Sequence, residues 1–337
     1  MCADRGPKPQ ADISFIMDLA LKIRLNVEQV IVGKSIVIDL LLTALIAQGH
    51  VLLEDVPGTG KTKLARSVAK SIDADFTRVQ FTADLLPSDL TGIHYYNQKE
   101  SEFVFRAGPL FTNILLADEI NRATARTQSS LLECMEERQI TIDGETMILD
   151  RPFLVIATQN PIETQGTFPL PEAQLDRFLV RLSLGYPDTQ DGRKILTRFL
   201  TEDPLISLLP VCRKEDLIRA QNLFENVYVS DVVLSYILSI VEATRTDEAI
   251  LLGVSPRGSL ALMKAAQVYA AIHGRSFVTP DDIKVLMVPV LAHRLILRTA
   301  GSYSLKSDYV RSSGRAAEVL MRIAGMIPCP TEPFTEK

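Results

Sequence analysis

Residues 51–62 read Val-Leu-Leu-Glu-Asp-Val-Pro-Gly-Thr-Gly-Lys-Thr, an apolar run that passes directly into a glycine-rich turn. The segment that follows, Lys61–Lys70, has a helical pattern. Backbone N–H groups in such a turn, together with the positive end of the helix, suit phosphate oxygens. Gly60-Lys61-Thr62 carries the chemistry. Lys61 would reach β- and γ-phosphates, and the Thr62 hydroxyl would sit on Mg²⁺. Val56, Pro57, Gly58, Thr59 and Lys63 complete the candidate loop. The pattern G-x-x-x-x-G-K-[ST] begins with glycine, and this chain has Asp55 there. A carboxylate beside phosphates is electrostatically unusual, and it leaves open how tightly the loop holds a nucleotide.

Further groups make the loop more than a turn. Ile114-Leu-Leu-Ala-Asp118-Glu119 is an apolar run ending in two acids. Two carboxylates at a buried strand end are costly unless a cation or a reaction uses them. Asp118 would hold Mg²⁺ through water, and Glu119 would polarise the water that attacks the γ-phosphate. Phe153–Asn160 is a comparable run, and Asn160 at its carboxyl end would orient that water or touch the γ-phosphate. Arg177, before Phe178, is either a surface charge or an arginine supplied to a neighbouring subunit. Ser255-Pro256-Arg257 starts a helix with proline at its first position. A cation there opposes the helix dipole, which suggests that Arg257 meets an external anion.

The elements that position these groups alternate. Five strands are predicted at His50–Glu54, Phe76–Phe81, Ile114–Asp118, Phe153–Thr158 and Phe178–Leu184. The third and fourth are continuously apolar, as in a parallel sheet covered on both faces. Asp143-Gly144 predicts a tight hairpin over residues 140–149, and a second extended pair is expected within 91–106. Helices are expected at Ile13–Val30 and Ser35–Gln48, and Pro187 ends this α/β half. Beyond it the pattern is helical: Asp188–Leu200, Lys214–Asn222, Ser230–Thr244, Pro256–Ile272 and Pro280–His293. The division expected is a lead at 1–11, a nucleotide-binding core at 12–187 and a smaller all-α lid at 188–337.

Composition narrows the classes. The 337 residues carry 36 basic and 41 acidic side chains, a net charge of −5 that offers no general attraction to nucleic acid. Hydrophobic residues make up 47%, enough for real cores. Cys2, Cys134, Cys212 and Cys329 show no metal-type spacing and read as reduced thiols. No apolar stretch reaches the length of a membrane span, and no signal-peptide pattern opens the sequence, so a cytoplasmic protein is expected.

The chain resembles the AAA+ ATPases, and within them the MoxR family. The resemblance rests on Glu54–Thr62, Phe105–Leu110, Leu116–Ala123, Ala157–Pro161, Leu170–Phe178 and Val254–Arg257, spread over about residues 30–300. It implies a P-loop NTPase core, a three-layer αβα arrangement whose five parallel strands run in the order 5-1-4-3-2. It also implies a Walker A loop at 55–62, a Walker B pair at Asp118 and Glu119, a sensor at Asn160, a trans arginine at Arg177 and a second sensor at Arg257. Val32 and Gly33 match the family position near adenine. Residues 82–106 resemble the helix-2 insert, and 140–149 the pre-sensor-1 hairpin. ATP and Mg²⁺ are the implied cofactors, and a homo-oligomer, a hexamer, is the implied assembly. The implied role is a chaperone maturing client proteins, including von Willebrand factor A-domain partners. A magnesium-chelatase-type motor and a slow nucleotide switch remain open beside it. A helicase-like motor would need basic hairpins, but the 140–149 tip carries Asp143 and Glu145 and no lysine or arginine.

Overall fold

The structure is a computed structural model, and it describes residues 11–160, 166–200, 203–298 and 308–330. The chain divides into two compact units, Leu19–Gln221 and Met1–Asp18 with Asn222–Lys337.

The first unit is an open α/β sheet. Its strands are β1 (His50–Glu54), β2 (Phe76–Gln80), β5 (Ile114–Asp118), β8 (Leu154–Gln159) and β9 (Phe178–Leu182). Two antiparallel hairpins intervene, β3 (Gly92–Asn97) with β4 (Glu102–Ala107), and β6 (Gln139–Ile142) with β7 (Glu145–Ile148). The large sheet runs β2-β5-β8-β1-β9, and every pairing is parallel. Counting only these five strands, the order is 5-1-4-3-2, as the resemblance implies. Every residue of β5 and β8 is buried, which is why both read as unbroken apolar runs.

Each predicted strand lies within two residues of its observed bounds. Asp143 and Gly144, with φ of +51° and +87°, form the tight turn of β6–β7. Helices Ser35–Ile46, Lys61–Ser71 and Thr189–Phe199 fall where periodicity put them. The helix Ala125–Glu137 is one that the sequence reading leaves between strands unassigned. It buries Leu131, Leu132 and Met135 in a core that includes Leu115, Val155 and Phe178.

The second unit is mainly helical: Asp231–Thr246, Pro256–Ile272, Pro280–Leu291 and Asp308–Met326. Side-chain caps set three of the starts. Ser230 accepts from Val233 N, Ser255 from Gly258 N, and Thr279 forms a reciprocal box with Asp282. One detail departs from an all-α lid. Strands β10 (Ile250–Leu252) and β11 (Ile296–Leu297) pair as an antiparallel ribbon. Strands of three and two residues are too short to show a period in sequence.

Candidate functional site

Parallel register builds the site. Glu54 stands opposite Gln159, Gln80 opposite Asp118, and Ala117 opposite Ala157. Asp55, Glu119 and Asn160 therefore leave the sheet along one edge, at the carboxyl ends of β1, β5 and β8. Ligands of open α/β sheets bind at this edge.

The loop after β1 has the backbone for a phosphate. Gly58 and Gly60 have φ of +84° and +95°, and a Cβ on either would meet nothing within 4 Å. Conformation alone, not crowding, calls for glycine there. Thr59 Oγ1 donates to Val56 O at 3.3 Å and closes the turn. Gly60 precedes the helix Lys61–Ser71 and gives its first turn no side-chain cap. Lys61 Nζ donates to Asp55 O at 2.9 Å, folding the ammonium back over the loop. An uncapped helix start beside an ammonium fits a polyphosphate.

Asp55 has defined partners. Its carboxylate is buried and turned to the chain after β9. Ser183 Oγ donates to Oδ1 at 2.9 Å, Gly185 N to Oδ1 at 3.0 Å and Leu184 N to Oδ2 at 2.5 Å. Three donors hold this carboxylate in place.

The two acids after β5 are held differently from one another. Thr158 Oγ1 donates to Asp118 Oδ1 at 2.6 Å and accepts from Glu119 N at 2.9 Å. Arg78, on β2, donates to Asp118 Oδ2 through Nε at 3.0 Å and Nη2 at 2.6 Å. Nη2 also donates to Gln80 Oε1 at 3.0 Å, and Gln80 Nε2 donates to Glu119 Oε2 at 2.7 Å. Arg122 Nε lies 2.8 Å from the same Glu119 oxygen. Glu119 has φ +57°, a left-handed backbone that costs a non-glycine residue about 1 kcal/mol. Strained residues of this kind cluster at active sites. Hard carboxylate and hydroxyl oxygens at Asp118 and Thr62 are a donor set that suits Mg²⁺.

Asn160 follows Gln159 directly and is buried at this edge. Asn121, two residues after Glu119, is also buried, and its Oδ1 has no hydrogen-bond partner. Val32 is buried, and Gly33 has φ +71°. A Cβ on Gly33 would lie 1.7 Å from Asp191 Oδ2, so a close approach requires glycine here. Lys34 Nζ donates to Tyr186 O at 3.1 Å. Residues 183–191 thus touch both the Asp55 end of the loop and the Gly33 segment. The Lys63 ammonium pairs with Asp203 at 3.0 Å.

Arg177 is separated from this edge. It precedes β9, whose Phe178 stands opposite His50 at the start of β1. At about 3.3 Å per residue, roughly 15 Å of strand lies between it and its own loop. Its Nε is 3.7 Å from Glu136 Oε2, an ion-pair distance too long for a hydrogen bond, and that buried nitrogen has no hydrogen-bond partner. In the second unit, Arg257 stands in the first turn of Pro256–Ile272, beside Pro256 and the Ser255 cap. The sequence reading missed Thr158, Arg78 and Gln80. Thr158 carried a signal, a polar residue that is fully buried within an apolar strand. Arg78 carried none, since an edge strand tolerates charge.

Comparison with known proteins agrees with this geometry. Residues 50–180 match the family described as "ATPase family associated with various cellular activities (AAA)", and residues 242–308 match the AAA lid domain. Uncharacterized protein YeaC of Bacillus subtilis is 53% identical, with 87% of this chain and 91% of that protein covered. Chaperone MoxR1 of Mycobacterium tuberculosis is 42% identical, with 89% of this chain and 80% of that protein covered. A crystal structure of a protein from Cytophaga hutchinsonii superposes with a TM-score of 0.85 at 37% identity, with 95% of this chain and 98% of that one covered. At this identity and coverage, the chain belongs to the MoxR family of AAA+ ATPases.

Proposed function

We propose that this chain hydrolyses ATP with Mg²⁺ in a homo-oligomeric ring, a hexamer, and uses the cycle to remodel client proteins. The observation that carries the reading is the shared edge: an uncapped helix start with Lys61, the pair Asp118 and Glu119, and Asn160 all leave adjacent parallel strands together.

The roles follow from charge and position. The amides of Gly58–Lys63 wrap the phosphates, and Lys61 exchanges the Asp55 carbonyl for β- and γ-oxygens. Val32 and Gly33 border the base. Thr62 and Asp118 would hold Mg²⁺, and the ion would supply charge stabilisation to the phosphates. Glu119 takes the proton of the attacking water, and Asn160 orients it. Arg257 contributes from the lid. Arg177 serves a neighbour's nucleotide, because it lies at the wrong end of β9 for its own. The acidic 140–149 hairpin favours a protein client over nucleic acid. A von Willebrand factor A-domain protein is the partner class to test first, in the cytoplasm. Chaperone MoxR1 supports a chaperone role by its similarity.

Glu119→Gln tests the reading. The variant should bind ATP with wild-type affinity, hydrolyse it at least 100-fold more slowly and retain clients on an affinity column. Wild-type turnover by this variant would refute the assignment of Glu119.

A further inference from the structure

Asp118 is the carboxylate assigned to the divalent cation, yet its Oδ2 is already taken. Arg78 Nε and Nη2 reach that single oxygen at 3.0 and 2.6 Å, while Thr158 holds Oδ1. The Asp118 side chain is only 12% exposed and that of Arg78 is 45% exposed, so the buried acid faces a guanidinium that has room to swing into solvent. The same Nη2 holds Gln80, and Gln80 holds Glu119. One cation thus anchors hydrogen bonds that reach both acids.

We propose that Arg78 is a built-in stand-in for the divalent cation. It neutralises Asp118 while no nucleotide is bound and gives up Oδ2 when Mg²⁺·ATP arrives. This rests on the ATPase reading above. A guanidinium and Mg²⁺ cannot both use one buried carboxylate oxygen without repelling each other. Loss of Arg78 from Asp118 also removes a donor from Gln80 Oε1, while Glu119 keeps Arg122 as its own cationic partner. Arg78 acts through Asp118 and is therefore a positioning residue.

A purely structural Arg78 would tie edge strand β2 to β5 and nothing else. The two roles differ in sign. Without Arg78, Asp118 keeps only the Thr158 hydroxyl and no cationic partner, so metal-free ATP is repelled more strongly, whereas Mg²⁺·ATP no longer has a cation to displace. For Arg78→Gln, affinity for a fluorescent ATP analogue should rise about tenfold with Mg²⁺, the scale of one displaced charge-assisted pair, and fall several-fold in chelator. Arg78→Lys, which keeps the charge without the fork, should lie between. Both affinities falling together, or neither changing, overturns the proposal. No Mg²⁺-dependent nucleotide binding by the wild-type chain overturns the ATPase reading as well. A measurement on the wild-type protein avoids dependence on variant folding. The Arg78 Nε–H resonance should be protected from exchange without nucleotide and lose that protection with Mg²⁺ and a non-hydrolysable ATP analogue. Protection retained in the complex contradicts the exchange.

Discussion

The main-chain N–H of Leu184 donates to Asp55 Oδ2 at 2.5 Å, so the first residue of the phosphate loop is bolted to the chain leaving β9. The neighbouring Ser183 and Gly185 donors hold the other oxygen, and the same stretch runs on to Tyr186, which accepts from Lys34. Asp55 thereby ties the loop after β1 to the same stretch that holds Lys34.

Replacing Asp55 with the glycine expected from the family pattern should harm the site. Asp55→Gly leaves buried amides unpaired, at a cost of about 2–3 kcal/mol by urea unfolding. Nucleotide affinity, measured by calorimetry, should drop about tenfold. A large gain in affinity or turnover would mean that Asp55 weakens nucleotide binding.

Thr158 joins the two acids through one hydroxyl, donating to Asp118 and accepting from Glu119 N. Thr158→Val keeps the volume and removes both bonds. The strained Glu119 backbone then loses its anchor, and kcat should fall about 10–100-fold, while the dissociation constant for a non-hydrolysable analogue moves less than threefold. A variant that changes affinity alone would place Thr158 outside the catalytic geometry.

Acid should weaken the core through His50. Its Nε2 lies 3.0 Å from Met135 O, and Nδ1 accepts from Val155 N at 3.0 Å, so the neutral ring carries its proton on Nε2. Burial, with a smaller push from nearby Arg138, lowers its pKa from 6.5 to about 4 against the opposing Met135 bond. Between these values the unfolded chain holds a proton that the folded chain does not. This contribution to stability is therefore complete above pH 6.5 and is lost as pH falls toward 4, by at most about 3 kcal/mol. Denaturant unfolding at pH 5 and pH 7 checks it, and His50→Gln should flatten that part of the profile.

Burial pushes the Cys134 and Cys212 thiols up to about 12. Neither is a ready nucleophile, so the folded chain should resist iodoacetamide at these positions at pH 8, and mass spectrometry should find label there only after denaturation. Rapid native labelling of Cys134 would contradict its burial.

Sequence reasoning located the strands because β5 and β8 are buried on both faces and cannot alternate. It located the loop because positive φ at Gly58 and Gly60 leaves a glycine signature. It could not tell which way the Asp55 side chain turns, since its partners lie 128–130 residues away. Arg78 was equally silent, because its pairing with Asp118 depends on β2 lying beside β5. The ribbon β10–β11 was missed for its length, and the helix Ala125–Glu137 because its polar face broke up the apolar signal.

The central claim is a nucleotide site completed by Arg177 of a neighbouring subunit, and mixing two inactive variants tests it most directly. Lys61→Ala cannot engage phosphates but still presents Arg177, whereas Arg177→Ala binds nucleotide but presents nothing to its neighbour. Each alone should lose at least 100-fold in ATP hydrolysis. Mixed under assembling conditions, they should regain a substantial fraction of wild-type activity, because some interfaces pair an intact loop with an intact arginine. A mixture as inactive as its parents, or an Arg177→Ala protein that hydrolyses ATP normally by itself, would contradict the account.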